Sequence, residues 1–322
     1  MKEPRTYVGM DVGKAWLDLA SWPAGGTWRV PNTPSGWATL IARLGQGANP
    51  LVVLEATGSY HVGVVVALDA VGIATAVINP ARMRHFARSQ GQRAKTDAAD
   101  ATLIAQYGVQ TQPAPTPLPT PAIRTLQALV NRRADLTQDR VRELNRLKTA
   151  TEPAVCASIT RHLTLIDTER AELERAIAVT TAGDAEIATK SALIDSAPGI
   201  GAVLAATIIA GLPELGRASP NQLAALVGVA PFARDSGKHA GTRSIAGGRA
   251  TVRKALYQAV TTGLRCNPAL SHHVAKLKAA GKPHKVAMVA AMHRLLGILN
   301  AMVRDGLTWH QTDVGQGRFL PA

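Results

Sequence analysis

Short apolar runs alternate with helical periodicity over the first hundred residues of the chain. The pattern predicts helices at 37–44, at 64–71 and from Pro80 onward, and strands at 7–10, 16–20, 28–30, 51–54 and 75–78. The strand at 51–54 is entirely apolar, which is typical of burial on both faces. Three strands followed by helix, strand, helix, strand and helix is the order of an RNase H-like sheet. We therefore predict an α/β RNase H-like domain over residues 1–112.

The pattern changes after residue 112, where proline occupies every second position as far as Pro121. Such a segment cannot form a helix or a central strand, and we predict an extended, semi-rigid linker. Beyond it, apolar and charged residues recur at spacings of three and four as far as Lys148, and a second periodic stretch follows Pro153. Residues 113–190 are therefore predicted to contain the linker and an antiparallel helical hairpin, which would act as a coiled-coil arm.

From about residue 191 the sequence predicts short helices separated by glycine turns. Its landmarks are the turn at 198–201, a loop around Ser236 and a helical, basic stretch at 271–294. We predict a mainly α C-terminal domain over residues 191–322.

Charge indicates the kind of partner. The 322 residues carry a net charge of +14, and 46% of them are hydrophobic, which is a globular composition. A surplus of this size points to a polyanion, because each Lys or Arg placed on a phosphate releases counterions. The apolar runs at 64–68 and 286–292 are too short to span a bilayer, so no membrane is expected. Cys156 and Cys266 lack a metal-ligand spacing, and a reducing cytoplasm is the predicted location.

Four carboxylates stand where a predicted strand ends or a helix could begin. Asp11 ends the first strand, Glu55 follows the central strand, and Asp97 and Asp100 share a face if their stretch is helical. Ligands collect at the carboxyl ends of strands in open α/β sheets. Converging acids repel unless a hard cation such as Mg²⁺ neutralises them, as in two-metal phosphoryl transfer. Singly, Asp97 could cap a helix, Asp100 could be a solvated first-turn acid and Asp11 a turn residue. Glu55 directly follows an apolar run, where a charge is costly to bury without a partner. In this order, the four acids predict a metal site.

Ser236 is the candidate nucleophile. A serine before a glycine is usually a turn residue, but the surrounding cations could hold a scissile phosphate. Gly199 and Gly201 could expose amides to a phosphate, as in helix-hairpin-helix modules, or form an ordinary turn. The basic stretch 82–88 suits a phosphate track or a solvated helix face. The predicted phosphate contacts are Arg82, Arg84, Arg88, Lys95, Gly199, Gly201, Arg234, Lys238, Arg243, Arg249 and Arg253.

Fragments along nearly the whole chain together resemble the DEDD transposases of insertion sequences, a family that includes bridge-RNA-guided recombinases and Piv-type invertases. The fragments are GMDVGK at 9–14, LEATG at 54–58, INP at 78–80, KTDAADA at 95–101, PGIG at 198–201, AALVGVAP at 224–231, DSG at 235–237, GGR at 247–249 and VRKALY at 252–257.

The resemblance implies a RuvC-like N-terminal domain, a coiled-coil arm and a C-terminal transposase domain. It implies that Mg²⁺ is bound by Asp11, Glu55, Asp97 and Asp100, and that Ser236 forms a transient phosphoserine. It also implies donor and target DNA, a structured noncoding guide RNA, and a homo-oligomer, dimer or tetramer, whose subunits share the acids and the serine.

Two other functions remain open on the residues alone. A RuvC-like nuclease or junction resolvase would keep the metal site and hydrolyse DNA with water, without a covalent intermediate. A non-catalytic nucleic-acid-binding protein would use the acids only for structure. A covalent DNA adduct at Ser236 distinguishes the recombinase from both.

Overall fold

The chain divides into two compact units, Met1–Leu118 and Pro119–Ala322. The computed structural model describes residues 6–22, 25–45, 49–56, 58–91, 97–232 and 243–316. The predicted segments 1–112, 113–190 and 191–322 are thus regrouped. The proline-alternating linker packs with the first unit, and the hairpin shares the core of the second.

The first unit is built on a mixed five-stranded sheet in the order β3-β2-β1-β4-β5. Strand β1 is antiparallel to β2 and parallel to β4. The predicted sequence of strands and helices is confirmed. The elements are β1 (Tyr7–Val12), β2 (Trp16–Trp22), β3 (Thr27–Pro31), α1 (Pro34–Leu44), β4 (Leu51–Glu55), α2 (Val62–Asp69), β5 (Ala74–Ile78), α3 (Pro80–Ser89) and α4 (Asp97–Thr111).

Strand β1 sends alternate side chains to opposite faces of the sheet. Val8, Met10 and Val12 are buried in the core that α1 and α2 form on one face. Gly9 and Asp11 therefore point to the other face, where α4 packs on β1 and β2. The strand continues through Asp11 to Val12, two residues beyond its predicted end at Met10.

The linker lies against the edge strand β5. The Thr116 N–H donates to the Thr75 carbonyl at 2.7 Å, and the Thr116 hydroxyl oxygen accepts from the Val77 N–H at 3.0 Å. Leu118 packs against the core of the α1 and α2 face. The segment is extended as predicted, and it belongs to the sheet because these contacts satisfy polar groups of an otherwise open strand.

The second unit is mainly α, as predicted, with one large core. Its helices are α5 (Pro121–Thr149), α6 (Pro153–Ala182), α7 (Ala185–Asp195), α8 (Ala202–Gly211), α9 (Pro220–Val227), α10 (Ala250–Cys266), α11 (Pro268–Ala279) and α12 (His284–Asp305).

Helix α12 is the one helix among the described residues that is long and apolar enough to cross a membrane by length and composition. The helix has 22 residues, and the continuous apolar run at 286–292 is much shorter. The run alone therefore does not predict a helix of this length. Half of the apolar stretch of α12 is buried in the core of the unit, including Met288, Leu295 and Leu299. The apolar character is therefore accounted for by packing within the protein.

Helices α5 and α6 form the predicted antiparallel hairpin. Arg133 binds Glu174 at 2.6 Å, and Arg140 binds Asp167 at 2.7 Å, so residue numbers rise along one helix as they fall along the other. The sequence periodicity places Val141 and Leu144 on the inner face of the hairpin, but the buried side chains in the distal half of α5 differ from this prediction. Val141 is 52% exposed, whereas the intervening Glu143 is buried with a bond of 2.5 Å to Arg146. A coiled-coil arm stays a prediction.

Candidate metal centre and nucleic-acid interface

Asp11 and Glu55 occupy neighbouring positions at the carboxyl ends of two parallel strands. The register pairs Met10 with Leu54, so the residues that follow them, Asp11 and Glu55, lie side by side. Adjacent strands lie about 4.8 Å apart, and residues at the same register point to the same face. Both side chains are half-buried. The topology therefore brings these two predicted ligands together.

The direction of α4 decides which end of the helix lies near these acids. A Cβ atom on Gly9 would overlap the Ala101 carbonyl oxygen and the Ala105 nitrogen, so this part of α4 lies directly over Gly9. Farther along the helix, a Cβ atom on Gly108 would lie 2.9 Å from the Tyr7 ring. The helix thus runs antiparallel to β1, and its first turn lies toward the end of β1 that carries Asp11.

Asp97 is the first residue of α4, and Asp100 lies in its first turn and is half-buried. The predicted helical spacing of these two acids is confirmed, although the side chain of Asp97 lies outside the described residues. No group of three or more His, Cys, Asp or Glu side chains that could hold a metal ion occurs among the side chains described. Carboxylate oxygens are the donors that Mg²⁺ prefers, so the chemistry of the acids fits this ion.

Ser236 lies outside the described residues, as do Arg234, Lys238 and Lys95. The chain on either side of residues 233–242, the serine segment, is described. Phe232 and Ser244 form an antiparallel bridge, in which the Phe232 N–H donates to the Ser244 carbonyl at 2.9 Å. The two ends of this segment are therefore held next to each other.

Arg249 and Arg253 have intramolecular partners that the sequence does not indicate. Arg249 forms a two-pronged ion pair with Glu214, with N–O distances of 2.5 and 2.7 Å. Burial raises the pKa of the Glu214 carboxyl, but the hydrogen bonds and charge of Arg249 together outweigh it and lower that pKa below its usual value. Arg253 donates to the carbonyls of Val227 and Gly247, at 2.9 and 2.6 Å. Both arginines thus fasten the chain beside the serine segment, and as phosphate contacts they stay predictions.

The two predicted glycine contacts differ. Gly199 has φ of 98°, and a Cβ atom there would lie 2.6 Å from the Gly263 Cα atom, so close helix packing alone requires glycine. Gly201 is exposed before the first residue of α8, with open space around its Cβ position. The structure therefore accounts for Gly199 as a turn residue, whereas Gly201 is exposed.

Arg82, Arg84 and Arg88 lie on the exposed side of α3, whose Met83 packs into the core. None of the three forms an ion pair with another residue in the described part of the chain. Arg243 is also exposed. These four side chains are placed where a phosphate backbone could reach them.

The predicted basic stretch 271–294 forms a basic surface where α11 meets α12, although none of its residues is among the predicted phosphate contacts. Residues 243–304 contain eleven Lys and Arg and no Asp or Glu. Four lysines of this stretch are exposed, and none forms an ion pair with a described residue: Lys276, Lys278, Lys282 and Lys285. The pKa of nearby His273 is lowered by burial and by the positive charges of Arg294, Lys276 and His272. The sequence identifies this stretch as basic, and the structure adds which of its lysines are exposed.

The chain also matches known proteins. A DEDD model described as "Transposase" matches residues 8–152, and a model described as "Transposase IS116/IS110/IS902 family" matches residues 191–275. The two matches cover the sheet with its acids and most of the helical unit in the right order. The chain belongs to this family of transposases, which are DNA-recombining enzymes.

The relatives include proteins that invert DNA and proteins of insertion elements. The pilin gene-inverting protein of Moraxella bovis is 27% identical over 322 residues, covering 94% of this chain and 96% of the relative. The insertion element IS900 42 kDa protein of Mycobacterium paratuberculosis is 34% identical over 37% of this chain and 30% of the relative. T. thermophilus RuvC in complex with a Holliday junction substrate matches 35% of this chain and all of that chain, with 16% identity and a TM-score of 0.28.

Proposed function

We propose that this transposase cuts and rejoins DNA strands with two chemical parts. One is a Mg²⁺ site formed by Asp11, Glu55, Asp97 and Asp100 in an RNase H-like, RuvC-like domain. The other is the nucleophile Ser236. The observation that supports the proposal most is the register of β1 and β4, which makes two half-buried acids neighbours at the end of the sheet. A carboxylate pair in that position is costly without a cation.

In the proposed reaction the Ser236 oxygen attacks the scissile phosphorus. A Ser236 O–P bond forms, the P–O bond to the leaving strand end breaks, the serine hydroxyl loses its proton and the released oxygen gains one. The bound Mg²⁺ would supply charge stabilisation at the phosphoryl oxygens. The phosphoserine conserves a phosphoester bond, so a strand end can reverse the step and become joined without an external energy source. The acids hold the site, and the basic residues hold the DNA.

The partners follow from the family. Donor and target DNA are the substrates, and we extend to this chain the guide RNA and the homo-oligomer with shared sites that the resemblance implies. The reducing bacterial cytoplasm, with action at the nucleoid, is the proposed location. The exposed arginines of α3 and the lysines between α11 and α12 are the proposed phosphate contacts of the two units.

Removing the four exposed lysines where α11 meets α12 is expected to weaken DNA binding to the same extent for every DNA sequence. In a variant with Lys276, Lys278, Lys282 and Lys285 changed to Gln, the slope of log affinity against log salt should fall by about 0.9 for each lost phosphate contact. Equilibrium binding to duplex DNA, measured by fluorescence anisotropy at several salt concentrations, gives this slope.

A matched control removes four basic residues that are already bound to acids. These residues are Arg132, Arg142, Lys190 and Arg217. The control changes the net charge equally, so an equal fall in its slope would show that total charge matters and this surface does not.

Trapping the intermediate tests the proposed function. A suicide DNA substrate carrying an element end, incubated with the protein, Mg²⁺ and co-expressed flanking RNA, should give a protein–DNA adduct on a denaturing gel. The adduct should be absent with Ser236→Ala and with Asp11→Asn. Mg²⁺-dependent cleavage that is unchanged in Ser236→Ala and leaves no adduct would instead establish a hydrolytic nuclease or resolvase.

A further inference from the structure

A fifth acid, Asp18, lies beside the proposed metal centre. Strands β1 and β2 are antiparallel, and their register places Asp18 directly opposite Asp11. Opposed residues point to the same face of the sheet. Ala20, two residues farther along β2, packs with Ala101 and Ala105 on that face, which confirms the direction. The Asp18 side chain is only 14% exposed.

Asp18 is fully engaged by Arg29 on the next strand. The two residues are register partners on β2 and β3. Arg29 Nε donates to one carboxylate oxygen at 2.8 Å, and Nη2 donates to the other at 3.0 Å. The guanidinium carbon also lies 5.8 Å from the centre of the Trp16 ring. A two-pronged pair of this kind fixes the orientation of the carboxylate as well as its charge.

Four strands therefore carry one continuous row of charged residues. In sheet order the row is Arg29, Asp18, Asp11 and Glu55. Opposed Cβ atoms in such pairs are about 5 Å apart, which is close enough for two carboxylates to share a cation. Asp11 thus has a carboxylate neighbour on each side, at Glu55 and at Asp18. On the β2 side, Arg29 occupies both oxygens of Asp18.

We propose that Asp18 and Arg29 are a positioning pair for the metal centre. By occupying Asp18, Arg29 keeps a divalent cation from binding between Asp11 and Asp18 and confines it to the side of β1 where Glu55 lies. The proposal rests on the proposed metal site. An ion pair that only stabilises the β2–β3 hairpin would give no reason for the removal of Arg29 and the removal of Asp18 to change metal binding in opposite directions, and this difference can be measured.

Mn²⁺ binding to the full chain tests the pair, with the free ion followed by electron paramagnetic resonance. Arg29→Met frees Asp18 and should tighten Mn²⁺ binding by on the order of tenfold, or add a second bound ion. Asp18→Asn removes the negative charge next to Asp11 while the positive charge of Arg29 remains nearby, and it should weaken binding by a similar factor. The double variant removes both charges and should bind Mn²⁺ as the unchanged protein does.

The double variant separates positioning from stability. It lacks the ion pair as completely as either single variant does. If Asp18→Asn weakened Mn²⁺ binding only by destabilising the sheet, the double variant would therefore show weakened Mn²⁺ binding as well. Arg29→Gln serves if the methionine variant does not fold. Arg140→Met, which breaks the exposed Arg140–Asp167 pair of the hairpin, is the matched control and should bind Mn²⁺ normally.

Two further outcomes are distinguishable. If the unchanged protein binds Mn²⁺ and Asp11→Asn abolishes the binding, but Arg29→Met has no effect, the positioning role is wrong and the metal centre stands. If the unchanged protein shows no Asp11-dependent binding of Mn²⁺, the proposed metal centre fails, and the positioning role fails with it.

Discussion

Glu55→Gln is expected to slow DNA strand cleavage by at least about a thousandfold at fixed Mg²⁺ concentration. The substitution keeps the size and shape of the side chain at the end of β4 and removes one negative charge next to Asp11. An amide oxygen is a weaker ligand for Mg²⁺ than a carboxylate oxygen. The loss of charge should therefore lower both metal affinity and stabilisation of the transition state. Single-turnover cleavage of a labelled element-end substrate gives the rate.

Asp69→Asn is the control for this change. Asp69 is an exposed acid at the last residue of α2, in the same unit as Glu55. Its substitution removes the same charge and should leave the cleavage rate unchanged. Thermal unfolding of both variants should resemble that of the unchanged protein. A folded Glu55→Gln protein that cleaves within tenfold of the normal rate would contradict the metal-site assignment.

Gly9→Val is expected to destabilise the protein by about 3 kcal/mol or more, because a well-packed core tolerates added atoms poorly. The valine Cβ would overlap the main chain of α4 at Ala101 and Ala105, and a main chain cannot turn aside as a flexible side chain can. The helix would have to move away from β1 and would carry Asp97 and Asp100 with it. Cleavage should therefore be lost along with stability, as thermal unfolding and the cleavage assay can show.

Gly297→Ala is the contrasting substitution. Gly297 lies within α12, and no atom comes within 4 Å of its Cβ position. Alanine there should stabilise the helix by about 0.5–1 kcal/mol, because it restricts the unfolded chain more than glycine does. Equal effects of the two substitutions would contradict the close seating of α4 on Gly9.

The sequence predicts the fold of the first unit well because its signals are local. The apolar run at 51–54 identifies the interior strand β4, and Pro80 identifies the start of α3. Once the strands are ordered, the topology alone makes Asp11 and Glu55 neighbours. The antiparallel hairpin follows in the same way from its periodic residues and from the break at Pro153.

The remaining contacts depend on tertiary structure. An arginine is the same residue in the sequence whether it binds a phosphate or a carboxylate, so the sequence does not reveal that Glu214, 35 residues earlier, binds Arg249. The opposition of Asp11 and Asp18 requires the strand register, which no short motif states. Val141 fits the predicted periodicity of the hairpin yet is exposed, because a different face of α5, which includes Glu143, is buried in the distal half of the hairpin.

The proline-alternating linker has a consequence for neighbouring copies of the protein. Strand β5 is at the edge of the sheet, and the linker approaches it with Thr116 as the residue that both donates and accepts hydrogen bonds. Proline has no N–H, so every second residue of the linker is unable to extend a hydrogen-bonded ladder. The sheet therefore ends in a strip that another strand cannot continue. Such a strip opposes edge-to-edge pairing of this sheet with a strand of another molecule and so disfavours aggregation.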